Sequence, residues 1–339
     1  LKSKNFFQYM TTTANIAADF ELFRGKIGGT IEYYNLDTRD LLLTRRLPEP
    51  TGFSSILTNV GATNNKGIEL TLNTVNLKSS KLEWGSSITF STNNNKIVHI
   101  YQSDANGDGI EDNDISNRWF IGQPISVAYD YQLDGVYQVG DQIPTGQKAG
   151  FFKMLDFNND GKVDVNDRNV LGNLQPKYRW SLINNVKYGN LNFLITLNAL
   201  QGWLGVNNMM ALDSDPGTSI GQSGGSGNYP GRATNFLDAG WWTPENKSNT
   251  RPSLVYSNPF NHAYWQSRDF VRIQDVSISY DFKQNLINRY KISNLKVYIS
   301  GRNLYTFTKW QGMDPESGNG SRGAFPAPRT ISLGLNMSL

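Results

Sequence analysis

Apolar and polar residues alternate with a period of two along most of this chain. Ile16, Ala18, Phe20 and Leu22 share one side of an extended segment, and Ile27, Ile31 and Tyr33 do the same with Gly29 between them. The pattern returns at Ile68, Leu70 and Leu72, and at Leu82, Trp84, Ile88 and Phe90. It recurs at Tyr178, Trp180, Leu182 and Val186, then at Leu191, Phe193, Ile195, Leu197 and Ala199. The last three sets are Val276, Ile278, Tyr280 and Phe282; Leu295, Val297 and Ile299; and Ile331, Leu333, Leu335, Met337 and Leu339. Successive strand residues point to opposite faces, so these segments predict nine β-strands. Their second faces are largely polar: Glu69, Thr71 and Asn73; Thr89 and Ser91; Asn192, Thr196 and Asn198; Ser332, Asn336 and Ser338.

The connections alternate too. Arg24-Gly25-Lys26, Asn76 to Ser80, Tyr188-Gly189-Asn190 and Lys283 to Asn294 are short, whereas roughly 40–58, 99–176, 201–268 and 308–328 are long. In an antiparallel sheet this puts every long connection at one end. A soluble sandwich has no reason for that asymmetry, although its half-buried strands alternate as well. A transmembrane β-barrel has short periplasmic turns, long extracellular loops and an apolar face against lipid. Bacterial single-chain barrels have even strand counts, and an open sheet in lipid would leave unpaired backbone at two edges. Nine strands are therefore expected to be part of a barrel completed by residues outside this sequence.

Composition narrows the picture further. The 339 residues include no Cys, which excludes disulfides, zinc ribbons, iron–sulfur clusters and a thiol nucleophile. No run of 18 apolar residues predicts a membrane helix. A net charge of +3 is too balanced to suggest nucleic acid as the main partner. Neither His99 nor His262 falls beside a nucleophile, and no enzyme active site is expected. Leu1 to Gln8 lack the basic and apolar regions of a signal peptide, and Leu1 is not Met, so the chain is expected to begin inside a longer one.

Several segments resemble SusC-like (RagA-type) TonB-dependent outer-membrane transporters. They are Asn59-Val60-Gly61-Ala62-Thr63-Asn64-Asn65-Lys66-Gly67-Ile68-Glu69-Leu70, the Tyr33 to Leu42 stretch with Thr38-Arg39-Asp40, and Trp242-Thr243-Pro244-Glu245-Asn246. Phe270-Val271-Arg272-Ile273, Gly301 to Trp310 and Gly312-Met313-Asp314-Pro315-Glu316 complete the series, in the family's order, from about residue 14 to 339. Many such proteins end in an aromatic residue, and this sequence ends in Leu339. The resemblance implies the C-terminal part of a 22-stranded barrel. It implies a plug and a TonB-contacting segment outside this sequence, a SusD-like surface lipoprotein as lid, and uptake of oligosaccharides or peptides. A calcium-stabilised extracellular adhesin, a glycan-binding module, or a scaffold in a larger surface complex is the alternative.

The sharpest chemical signal lies in the 99–176 connection. Asp156, Asn158, Asp160, Lys162 (through its carbonyl), Asp164 and Asp167 have the spacing of an EF-hand-type Ca²⁺ loop, with Gly161 at the bend. An Asp/Asn/Gly-rich surface turn without metal is the alternative. Asp104, Asn106, Asp108 and Asp112 form a second, less complete candidate, equally readable as a solvated acidic loop. Trp119, Trp203, Trp241, Trp242, Trp265 and Trp310 lie in the long connections or at strand tops, where they could meet a ligand or a lid, pack loops, or form an interfacial girdle. Gly221 to Gly227 follows no strand that opens a helix, so it reads as a flexible loop and not a phosphate cradle.

Overall fold

The structure, a computed structural model, describes residues 8–47, 49–207, 240–253, 255–256, 258–317 and 325–338. The glycine-rich 221–227 segment and Leu339 lie outside the described residues. The chain opens with four long strands, β1 (Met10–Leu22), β2 (Ile27–Arg46), β3 (Ser55–Lys78) and β4 (Leu82–His99). Four short strands follow: β5 (Val127–Asp130), β6 (Leu133–Val136), β7 (Phe152–Met154) and β8 (Asn169–Asn173). Next come β9 (Tyr178–Tyr188) and β10 (Leu191–Gln201), the short β11 (Leu204–Val206) and β12 (Trp265–Ser267), and finally β13 (Phe270–Asp281), β14 (Asn294–Thr308) and β15 (Thr330–Ser338). The nine long strands form one antiparallel sheet in chain order, as the alternation predicts. No helix among the described residues is long and apolar enough to cross a membrane.

Register carries the alternation across the whole sheet. One row of cross-strand partners runs Phe20, Gly29, Leu72, Ile88, Leu182, Leu197, Ile273 and Tyr305. The adjacent row on the other face runs Asp19, Thr30, Thr71, Thr89, Ser181, Asn198, Arg272 and Thr306. A one-residue slip would swap the two faces, so the pattern fixes the register. Among the described residues no second layer packs over the apolar face: Ile278, Ile299 and Trp84 in inner strands are 42%, 44% and 43% exposed. Asn184 is a polar exception on this face, and its Oδ1 accepts from Trp84 Nε1 (3.0 Å) and Ser86 Oγ (2.7 Å). Leu194 is an apolar exception on the other face, between Asn185 and Ser277.

One expected boundary is wrong. The 40–58 connection is not a long loop, because β2 and β3 continue as a paired ribbon and leave only 47–54 between them. The ribbon is held by side chains that look like breakers in the sequence. Asn64 Nδ2 donates to Asn35 Oδ1 (2.6 Å) and Asp37 Oδ1 (2.8 Å). Asp40 takes a left-handed conformation (φ 59°) at the register shift, and Asn59 Nδ2 caps its carbonyl at 2.8 Å. Gly67 is needed because a Cβ there would run into the Tyr34 ring and the Thr92 carbonyl.

The hydrophobic core sits outside the sheet. Tyr131, Val136, Tyr137, Phe151, Phe152 and Met154 from the 99–176 connection pack with Trp242, Tyr256 and Tyr264 from the 201–268 connection. The two long connections therefore build one cap: the β5–β8 and β6–β7 pairings order the first, and Asn249 Oδ1 accepting from Val136 N–H (2.9 Å) and Asp130 Oδ2 from Ala263 N–H (2.8 Å) tie the second to it. The largest apolar cluster is thus built from the connections, while much of the sheet's apolar face stays exposed.

Candidate functional site

The acidic loop at 156–167 is organised by its own side chains. Asp156 accepts from the N–H of Asp160 (3.2 Å) and Gly161 (2.8 Å), Asn158 from Asp160 (3.0 Å), and Asp160 from Lys162 (2.9 Å). These bonds bring the first three candidate ligands onto one tight turn. Asp167 closes the loop: Oδ1 accepts from Phe157 (2.8 Å) and Asn158 (3.3 Å), and Oδ2 from Asp164 (2.7 Å). The Asp164 N–H, with those of Asn158 and Phe157, holds the Asp167 carboxyl below its usual range. Its own loop's backbone seals it from solvent. Asp164 Oδ1 accepts from Asn166 N–H at 2.8 Å. Among the described residues no three His, Asp or Glu side chains converge as a ready-made metal cluster.

The second acidic loop repeats the same turn. Asp104 accepts from Gly107 (2.7 Å), Asp108 (3.2 Å) and Gly109 (2.8 Å), Asn106 from Asp108 (3.1 Å), and Asp108 from Ile110 (2.8 Å). Asp112 accepts from Ala105 N–H at 2.8 Å, the same second-position contact that Asp167 makes with Phe157. The shorter loop thus closes at its ninth position instead of its twelfth. Glu111 ties its base to the end of β4, taking the N–H groups of Ile100, Tyr101 and Gln102 on Oε1 (2.6, 2.9 and 2.8 Å) and His99 Nδ1 on Oε2 (2.8 Å).

The tryptophans mostly serve packing. Trp242, Trp203 and Trp310 are buried, at 7%, 9% and 5% exposure. Trp242 Nε1 donates to Gln138 Oε1 at 2.8 Å, and Trp203 Nε1 to the Arg268 carbonyl at 3.1 Å. Trp265 is half-buried and donates to Asp130 Oδ2 at 3.0 Å. Trp119 and Trp241 are also half-buried.

Two features of the site escaped the sequence pattern. The first is a polar groove of about 470 Å³ between the sheet's polar face and the cap floor, lined by Asn65, Glu69, Asn93 and Arg179 from strands and Asn173 and Gln175 from the cap. The second is a strap. Arg272, on the polar face of β13, donates to Asp314 Oδ1 (2.9 Å), Glu316 Oε2 (2.6 Å) and Thr306 Oγ1 (3.0 Å). Arg268 donates to the Pro315 carbonyl (2.6 Å) while its guanidinium lies 4.0 Å from the Trp203 ring centre. Asp314 also accepts from the N–H of Glu316 (2.7 Å) and Ala327 (3.1 Å). Burial alone would raise the Asp314 carboxyl; those N–H groups and Arg272 outweigh it and hold it below the usual range. Two sequence segments that carried the family resemblance are thereby locked together.

No protein-family model matches the chain. It is 29% identical over 360 aligned residues to TonB-dependent receptor P26 of Formosa agariphila, covering 97% of this chain and 34% of that protein. It is 24% identical to TonB-dependent receptor SusC of Bacteroides thetaiotaomicron, covering 97% of this chain and 32% of that protein. The RagAB peptide importer in its open-open state superposes with a TM-score of 0.73 at 21% identity, over 97% of this chain and 34% of that one. The chain thus spans about a third of the length of the relatives it matches. The resemblance to SusC-like receptors is borne out, and the fold matches about a third of that importer's chain.

Proposed function

We propose that this chain is part of the wall and external cap of an outer-membrane, TonB-dependent nutrient importer. The inverted burial carries the reading: an apolar sheet face with no second layer over it among the described residues, a polar face turned the other way, and a clustered aromatic core built from the long connections. On β9 the outward aromatics Tyr178 and Tyr188 bracket the strand. Their separation is about 33 Å at roughly 3.3 Å per residue. At a tilt of about 40° that is roughly 25 Å of height, the thickness of an apolar barrel band with aromatic girdles. The remaining strands, a plug and the TonB-contacting segment come from residues outside this sequence. Substrate, an oligosaccharide or a peptide, enters beneath a SusD-like lipoprotein lid and meets the polar groove. The relatives' names as receptors and transporters support a role without catalysis.

Spin labels test the wall. Labels at Phe193 and Ile195 are expected to report lipid, and labels at Leu194 and Thr196 the barrel interior. Water at all four positions would defeat the barrel and favour the soluble adhesin, which also needs no detergent.

The cap's acidic loops are proposed to hold Ca²⁺ in a structural role. Both present oxygens from one preformed turn, the chemistry a hard dication prefers, and neither offers a catalytic base at an open position. Asp156, Asn158, Asp160 and Asp164 accept backbone N–H groups as Asp167 does, and each oxygen keeps a further lone pair, so the proposed donors are Asp156, Asn158, Asp160, the Lys162 carbonyl, Asp164 and Asp167. Free Ca²⁺ a hundredfold above its dissociation constant would stabilise the cap by about 2.7 kcal/mol. Chelation is expected to speed proteolysis within 140–176, and Asp160→Ala to abolish the calcium dependence with the strands intact. Equal cleavage with and without calcium would remove the ion from the account.

A further inference from the structure

The short-turn end of the sheet has a chemistry the importer reading leaves unused. The four segments that join strands there are 23–26, 79–81, 189–190 and 282–293. Together they carry six cations (Arg24, Lys26, Lys81, Lys283, Arg289 and Lys291) and no Asp or Glu. All six are exposed, and none forms an ion pair among the described residues. The opposite end has the reverse balance: residues 100–176 contain 12 Asp and Glu against 5 Lys and Arg. The net charge of +3 therefore hides a strong separation of charge from end to end.

Large apolar side chains stand among these cations. Phe23 is 72% exposed, Tyr188 61%, Tyr290 68% and Leu286 54%. The Arg289 guanidinium lies over the Tyr290 ring at 5.6 Å, so the cation and the aromatic act from one place. Tyr188 is continuous with the apolar sheet face through Val186 and Trp84. A water-facing rim needs no such side chains. A rim at headgroup depth does: rings settle at the boundary, and Lys and Arg stems lie along it with their charges toward phosphate. Without carboxylates in the turns, the rim favours an anionic surface over a zwitterionic one.

We propose that this end of the sheet binds anionic phospholipid headgroups of the leaflet it faces, with the β13–β14 turn (Lys283, Arg289, Tyr290 and Lys291) as its main contact. The inference rests on the barrel reading. Each cation near an anionic membrane surface is worth roughly fivefold in binding, less where salt screens it.

The full-length protein, reconstituted in nanodiscs of phosphatidylcholine with phosphatidylglycerol and then re-extracted, reports which lipid it retains by native mass spectrometry. Enrichment of phosphatidylglycerol by about tenfold is expected, falling at higher salt. The Lys283→Gln, Arg289→Gln, Lys291→Gln triple variant is expected to lose most of it, whereas Lys148→Gln with Lys247→Gln in the cap keeps it. These positions are exposed, and unchanged thermal unfolding in detergent checks that the variants fold. No enrichment in the wild type, or equal enrichment in the triple variant, overturns the inference and leaves the barrel standing. Failure to enter the nanodisc at all would instead strike the barrel reading.

Discussion

Replacing Arg272 with alanine is expected to release the 309–317 strap from the barrel wall at a cost of about 3–5 kcal/mol, the usual penalty for breaking one side of a buried ion pair. The Arg272 and Asp314 side chains are 4% and 7% exposed, so removing the guanidinium strands a carboxylate with no water to replace it. Glu316 is different. Its side chain is 47% exposed, and its contact with Arg272 is worth little against solvent screening. Glu316→Gln should therefore change strap stability by less than about 1 kcal/mol. Asp314→Asn should release the strap nearly as fully as Arg272→Ala. Hydrogen exchange over 309–317 reads the difference, and the sheet amides serve as an internal control. Equal effects of Asp314→Asn and Glu316→Gln would show that the pair is not the latch. The folded-state pKa of Asp314 is depressed, so its contribution is present above the unfolded carboxylate range near 3.8 and is lost as pH falls below it. The strap should therefore stay closed through neutral and mildly acidic pH.

The strap also shows where sequence reasoning stops. Alternation with period two is local, and it was enough to give all nine sheet strands, their order and which residues share a face. It placed Arg272 on the polar face and Asp314 in a loop without any hint that they meet, because a contact across 42 residues leaves no periodic trace. The same limit hid the cap. Phe152 sits in a three-residue strand and Tyr131 and Tyr256 in none, so no alternation marks them, and the core they share spans two connections. The β2–β3 ribbon was missed for another reason: Asn35, Asp37, Asn59 and Asn64 are poor strand formers individually, yet Asn64 bonds Asn35 and Asp37 across the strands and Asn59 bonds the Asp40 carbonyl. The acidic turns were legible because a metal-loop pattern is local. The closing role of Asp112 and Asp167 was not, since a carboxylate that serves backbone N–H groups has the same spacing as one that serves an ion.

Trp242→Ala is expected to cost the cap about 3–5 kcal/mol, the range for deleting a large buried aromatic. The ring lies over Gly150, whose left-handed conformation (φ 85°) and missing Cβ leave the space for it. Its Nε1 also satisfies Gln138, so the variant loses a buried hydrogen bond as well as packing. Because the Trp242 core joins two connections and contains no residue of the nine-stranded sheet, the loss should appear as local opening. Amides in 131–156 and 256–264 should exchange faster while those of β9 and β10 do not. The same core carries its own pH response through His262, packed edge-on against Phe152 at 5.6 Å and 3% exposed. Burial pulls the His262 pKa down to about 4, with Asp130 pulling weakly the other way. The neutral ring is thus the folded form, and the unfolded ring titrates near 6.5. Cap stability is full above pH 6.5 and falls as pH drops toward 4, by up to about 3 kcal/mol. His262→Phe keeps the ring and removes the titration, so its cap should exchange at a pH-independent protection between pH 7.5 and 5. If Trp242→Ala melts the sheet together with the cap, or if His262→Phe keeps the full acid response, the cap is not the separate, ring-centred unit that its burial pattern describes.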